Sequence, residues 1–132
     1  MVEMALVMPV FCTVLLGIME FGRAFMVCQL LNDGAREAAR AAVMTGSTNT
    51  AVTDATKVFM ANVVGCQQAD VTVAITITPY PGNTNPNNNL ASASKRDLCA
   101  VTVSIPYSKV SFTPGKFLAA ITLKGKSAMR HE

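Results

Sequence analysis

Between Met4 and Met19 the chain carries no charged side chain: MALVMPVFCTVLLGIM. Glu20 and Arg23 then arrive together, a short apolar stretch runs from Ala24 to Leu31, and from Leu31 the pattern is mixed and alanine-rich, LNDGAREAARAAV. This spacing predicts one helix from Glu3 to Val43 with two unlike halves. The first half is apolar on every side, which in a small chain requires lipid or the core of an assembly around it. The second half is amphipathic: Leu31, Ala35, Ala38 and Ala42 share one face, and Asp33, Arg36, Glu37 and Arg40 share another. At 1.5 Å per residue, about forty residues reach roughly 60 Å, far more than one small domain covers. The helix must therefore leave its own domain and enter something else. Residues 1–31 read as a transmembrane or filament-core helix, and 32–132 as a globular domain continuous with it.

The remainder of the 132 residues suffices for one small domain. The net charge of +3 comes from scattered basic residues rather than a run, and there is no Trp to stack on bases. Nucleic acid is therefore not an expected partner. No basic residue precedes the apolar run, and the run continues past Glu20 without an Ala-x-Ala break. It reads as a retained helix rather than a cleaved secretory signal.

Several residues of the long helix carry chemistry. Glu3 is a carboxylate at the edge of an apolar segment, costly if buried alone. Two readings stand: it is solvated near the headgroups at a helix N-terminus, where negative charge is favoured, or it pairs with a positive group of a neighbouring subunit. Pro9 removes one helical hydrogen bond and is expected to kink or loosen the helix. Gly17 and Gly22 are small sites that admit another helix. Glu20 and Arg23 are spaced for an i, i+3 contact. They mark the membrane boundary, or they pair between subunits in a bundle. Cys12 and Cys28, sixteen residues apart, are too distant to bond and serve as small hydrophobes.

Beyond the long helix, Gly46 suits a helix C-cap and STNT at 47–50 a capping turn. A second helix is expected from Ala51 to Val64, with Val52, Ala55, Phe59 and Val63 as its apolar face and Gly65 as its end. Asp70–Thr78 alternates cleanly, with Val71, Val73, Ile75 and Ile77 on one side. PYPG at 79–82 stops that strand, and an exposed Asn- and Ser-rich loop follows. A second strand spans Leu98–Ile105, with Cys99, Val101, Val103 and Ile105 inward. Pro106 and Pro114 bracket a turn-rich link, and a third strand from about Ala120 to Ala128 turns Ile121 and Leu123 inward and Lys124 and Lys126 outward. The fold class is α+β: three antiparallel strands covering the alanine stripe of the long helix. Cys66, just before the first strand, and Cys99 are expected to form a disulfide, implying an oxidising compartment.

Catalysis finds little support. The one His is His131, near the C-terminus, and Asp54, Asp70 and Asp97 are scattered. Asp33 and Glu37 stand at i, i+4, but Arg36 and Arg40 beside them make a solvated, charge-mixed face. No Gly-rich loop precedes a helix, and no Ser or Cys nucleophile has a recognisable base. No cofactor is expected, and the cysteines lack metal-ligand spacing. The 83–97 loop could offer Asn carbonyls and Asp97 to Ca²⁺. A solvated loop, or one buried between subunits, is the better reading.

VEMALVMPVF at 2–11, MEFGR at 19–23 and AREAAR at 35–40 together resemble the TadE-like pilins and pseudopilins of the tight-adherence (Tad) pilus system. The resemblance implies a type IV pilin-like architecture, in which a long N-terminal helix leaves the inner membrane and packs at the centre of an extracellular filament. It implies self-association into a helical homopolymer, with an assembly ATPase, a platform and a prepilin peptidase as partners. In pilins a glutamate near the mature N-terminus, usually the fifth residue, pairs with a neighbour's N-terminal amine; here that role falls on Glu3. The leading expectation is a structural subunit of the filament. A minor pilin or pseudopilin that primes or tips a filament is the alternative within the family, favoured by a chain larger than the usual major Tad pilins. A membrane-anchored extracytoplasmic binding module that never polymerises is the alternative outside it. That module predicts a helix ending near residue 27, whereas the alanine face continues to Val43.

Overall fold

The computed structural model describes residues 2–112 and 118–132. Its first element, α1 (Val2–Ala42), is one helix of 41 residues and passes through Pro9 without ending. The Thr13 hydroxyl donates to the Pro9 carbonyl at 2.8 Å, one turn along. The two faces of the amphipathic half are as expected, while burial on α1 begins earlier than Leu31, at Glu20 and Val27. Leu31, Ala35, Ala38 and Ala42 are buried, while Asp33, Arg36, Glu37 and Arg40 face solvent. Arg36 and Asp33 form an exposed pair at 3.6 Å.

The second helix, α2 (Asn49–Val64), starts where Thr48 accepts from the Ala51 N–H and ends at Gly65 in the left-handed conformation. Gly46 lies in the turn between the helices, four residues beyond α1, and is not its immediate cap. The buried face of α2 also departs from expectation. It consists of Val52, Thr56, Met60 and Val64, whereas Phe59 and Val63 are exposed. The cause is a close approach of the two helices. Met60 sits so tightly over Gly34 of α1 that a Cβ on Gly34 would overlap the Met60 sulfur. Docking through Met60 turns the Phe59 side outward, and the Thr56 hydroxyl, now buried, is satisfied by the Val52 carbonyl at 2.6 Å.

Three strands form an antiparallel meander in the order β1 (Thr72–Thr78), β2 (Leu98–Pro106) and β3 (Thr122–Arg130). Cys99, Val101, Val103 and Ile105 of the central β2 are fully buried against the alanine stripe of α1. The register sets Val103 opposite Val73 and Gly125, and Cys99 opposite Ile77 and Met129. On β3, Leu123 points inward and Lys124 and Lys126 outward. Ile121 does not point inward. It precedes the strand and is exposed, its carbonyl accepting from the Tyr107 N–H at 2.9 Å. Gly125 brings β3 onto α1: a Cβ there would run into the main chain of Leu31 and Asn32. Pro114 lies outside the described residues.

The expected Cys66–Cys99 disulfide is not formed; all four cysteines are free thiols. Geometry explains this. Cys66 follows Val64 at the end of α2, where Arg23 of α1 docks. Cys99 lies opposite Ile77 and Met129, and Met129 borders Arg40 and Val43 at the other end of the domain. A disulfide needs Cα atoms within about 7 Å. Burial pushes both thiols above the usual range, and Asp97 adds to the effect at Cys99. Cys12 is exposed rather than buried, and Cys28 is half-buried.

The Asn-rich loop is organised by side-chain amides. Asn88 accepts from the Ile77 N–H at 2.8 Å, and Asn49 accepts from the Leu90 N–H at 2.8 Å and donates to the Asn88 carbonyl at 2.7 Å. Asp97, fully buried, accepts from Asn83 Nδ2 (2.7 Å), the Tyr80 N–H (2.9 Å) and the Ser94 N–H (2.8 Å). Its oxygens are committed to N–H donors, which makes it a loop anchor rather than a cation ligand.

Candidate assembly interface

On the first half of α1, Val2, Met4, Leu6, Val7, Met8, Val10, Phe11, Val14, Leu15, Leu16, Ile18 and Met19 are all exposed, and Phe21, Phe25 and Met26 extend the apolar surface. Among the described residues this is one helix long and apolar enough to cross a membrane. A contiguous apolar surface of this size marks an interaction site. Glu3 is exposed in its first turn. Gly17 and Gly22 face open space, with nothing within 4 Å of the position a Cβ would take, so a second helix can approach the backbone at both.

The two halves of α1 meet at a collar of polar contacts. Glu20 is only 5% exposed, and its carboxylate accepts the hydroxyl proton of Tyr107, the residue that follows β2. Tyr107 is itself buried, its hydroxyl also 3.0 Å from the Glu20 carbonyl. Arg23 reaches across the domain. Its Nε donates to the Val110 carbonyl at 3.2 Å and its Nη2 to the Val64 carbonyl at 3.1 Å. Val64 is the last residue of α2, so the guanidinium satisfies a helix C-terminus and complements its negative end. The same guanidinium stacks on Phe112, 4.6 Å from the ring centroid.

Glu20 and Arg23 are thus engaged inside the subunit, where they bolt the globular domain to the helix. Their partners, Tyr107, Val64, Val110 and Phe112, escaped the sequence reading. Main-chain carbonyls carry no sequence signal. Tyr107 carried a faint one: a large aromatic two positions after the inward-facing Ile105, in phase with the buried face of β2. Glu3, Pro9 and Gly17 lie on the exposed half and are not brought together with the collar, whereas Gly22 lies within it, beside Glu20, Arg23 and Phe112. Among the described residues no group of three or more His, Cys, Asp or Glu could hold a metal ion.

Residues 1–40 match the family model of the TadE-like proteins. That match covers the whole apolar half, the collar residues of α1 and most of the amphipathic half. No curated protein and no solved structure matches the chain.

Proposed function

We propose that this chain is a structural subunit of a Tad-type pilus, built by helical packing of the apolar half of α1 while the α+β domain faces outward. One observation supports the reading above the rest: a folded domain with a satisfied core carries a helix whose apolar half is bare. In water, burying such surface contributes about 25 cal/mol per Å². Between helices in lipid that driving force is absent, so the subunit is stored in the inner membrane and leaves it with the help of an external motor. The assembly ATPase, platform and prepilin peptidase of the Tad system supply motor and processing. Packing one copy's helix onto a different surface of the next is heterologous and yields an open polymer. Glu3, at the exposed end of the helix, pairs in the polymer with the N-terminal amine of a neighbour.

The test is electron microscopy of material sheared from the cell surface, with mass spectrometry of the same fraction. Uniform filaments made chiefly of this chain are the expected result. A trace presence beside another dominant pilin assigns it the priming or tip role, and recovery from membranes alone makes it an anchored module.

A further inference from the structure

At the level of the collar, α1 and Phe112 enclose an open apolar cleft of about 420 Å³ lined by Met19, Glu20, Gly22, Arg23, Met26 and Phe112. Phe112 is 77% exposed and is stacked beside α1 on the Arg23 guanidinium. Its height on the helix follows from its neighbours: the cleft runs from Met19 to Met26, one turn on either side of Arg23.

The uncharged run Met4–Met19 spans about 24 Å at 1.5 Å per residue. A bilayer's hydrocarbon core is about 30 Å thick, so the hydrocarbon edge falls within the next turn, between Glu20 and Arg23. The collar is built for such a level. Glu20 is covered by Tyr107, and Arg23 is matched to two carbonyls and a ring. In water neither charge would need this cover; at a lipid boundary an uncompensated charge is costly. An aromatic ring beside an arginine at this depth is the arrangement of an interfacial anchor.

We infer that the underside of the globular domain is a lipid-binding surface: before assembly, Phe112 and the cleft beside it take up the interfacial zone of the bilayer. This rests on the reading that α1 spans the membrane, which the experiment tests separately. The chain has no Trp, so Phe112→Trp and Phe11→Trp each introduce a single fluorophore. Both sites are exposed, and neither substitution disturbs the core. Each full-length variant is reconstituted in phosphatidylcholine–phosphatidylglycerol vesicles with lipids brominated near the headgroup end or near the terminus of the acyl chain. The expected result is that Trp at 112 emits at short wavelength and loses most of its emission to the shallow bromines, while Trp at 11 is quenched best by the deep ones. Long-wavelength, unquenched emission at 112 beside deep quenching at 11 overturns the lipid surface and leaves the span intact. Short-wavelength emission at 112 that no brominated lipid quenches, and that fades as protein is diluted in lipid, assigns the cleft to a second copy and also overturns it. Absence of quenching at 11 overturns the span and the inference together.

Discussion

Tyr107 and Asp97 show how single side chains at opposite ends of the domain hold it together, each with its own pH signature. Burial, and after it the hydrogen bond and charge of Glu20, push the Tyr107 phenol from its ordinary value of 10.0 up to about 12. The folded value exceeds the unfolded one, so the stabilisation is complete below pH 10 and is lost as the pH rises through about 12. Tyr107→Phe is expected to lower stability by about 1–3 kcal/mol, because the Glu20 carboxylate stays buried with one donor fewer. Denaturant unfolding of both proteins in detergent checks this: the gap between them should narrow between pH 10 and 12. Asp97 has the opposite sign. Hydrogen bonds from Asn83, Tyr80 and Ser94 hold its carboxyl below the ordinary 3.8. Its stabilisation is therefore present above that value and lost as the pH falls below it. Asp97→Ala should release the 83–97 loop and lower the melting temperature at neutral pH, with a smaller difference from wild type in acid. Thermal scans across the acid range measure it.

At the level of the elements, two glycines set the distances between layers. Gly125 lets β3 meet the main chain of α1, and Gly34 lets α2 do so through Met60. The obstacle to a Cβ differs. At Gly125 it is the backbone of Leu31 and Asn32; at Gly34 it is the thioether of a flexible side chain. Gly125→Ala is expected to cost about 1–3 kcal/mol or more, and Gly34→Ala distinctly less, as judged by unfolding midpoints. The thiols report on the same packing. In the native protein in detergent, Cys99, buried between α1 and the sheet, should react with a thiol reagent only after unfolding. An intact mass unchanged by reduction would accompany this; a shift of two hydrogens on reduction would instead restore the Cys66–Cys99 bond.

For the whole molecule, the consequence is a division of labour. The domain satisfies itself and grips α1 through Glu20 and Arg23, leaving Val2–Met19 for a partner. Glu3 touches nothing in the domain's core, so Glu3→Gln should slow filament formation while leaving the domain's stability unchanged. Filament yield beside a circular-dichroism melt separates the two effects. Equal loss of both would remove the inter-subunit role of Glu3.

The long helix, the buried and charged faces of its second half, the three strands and most of their inward residues were legible in the sequence, because periodicity records which side of an element avoids water; Ile121, which precedes β3 and is exposed, is the exception. The family likeness was legible for the same reason, since it lies in that helix. What only the tertiary structure decided depends on residues distant in sequence. The α2 face turned on where Met60 meets Gly34, since Phe59 and Val63 offer an equally apolar stripe. The cysteine pairing failed because the domain sets Cys66 and Cys99 at opposite ends, a separation that proximity to the same strand does not reveal. The Tyr107, Val64 and Val110 groups that bond Glu20 and Arg23 lie 41 and 87 positions away. Two of them are main-chain carbonyls, which every residue possesses, so only the folded chain could select them.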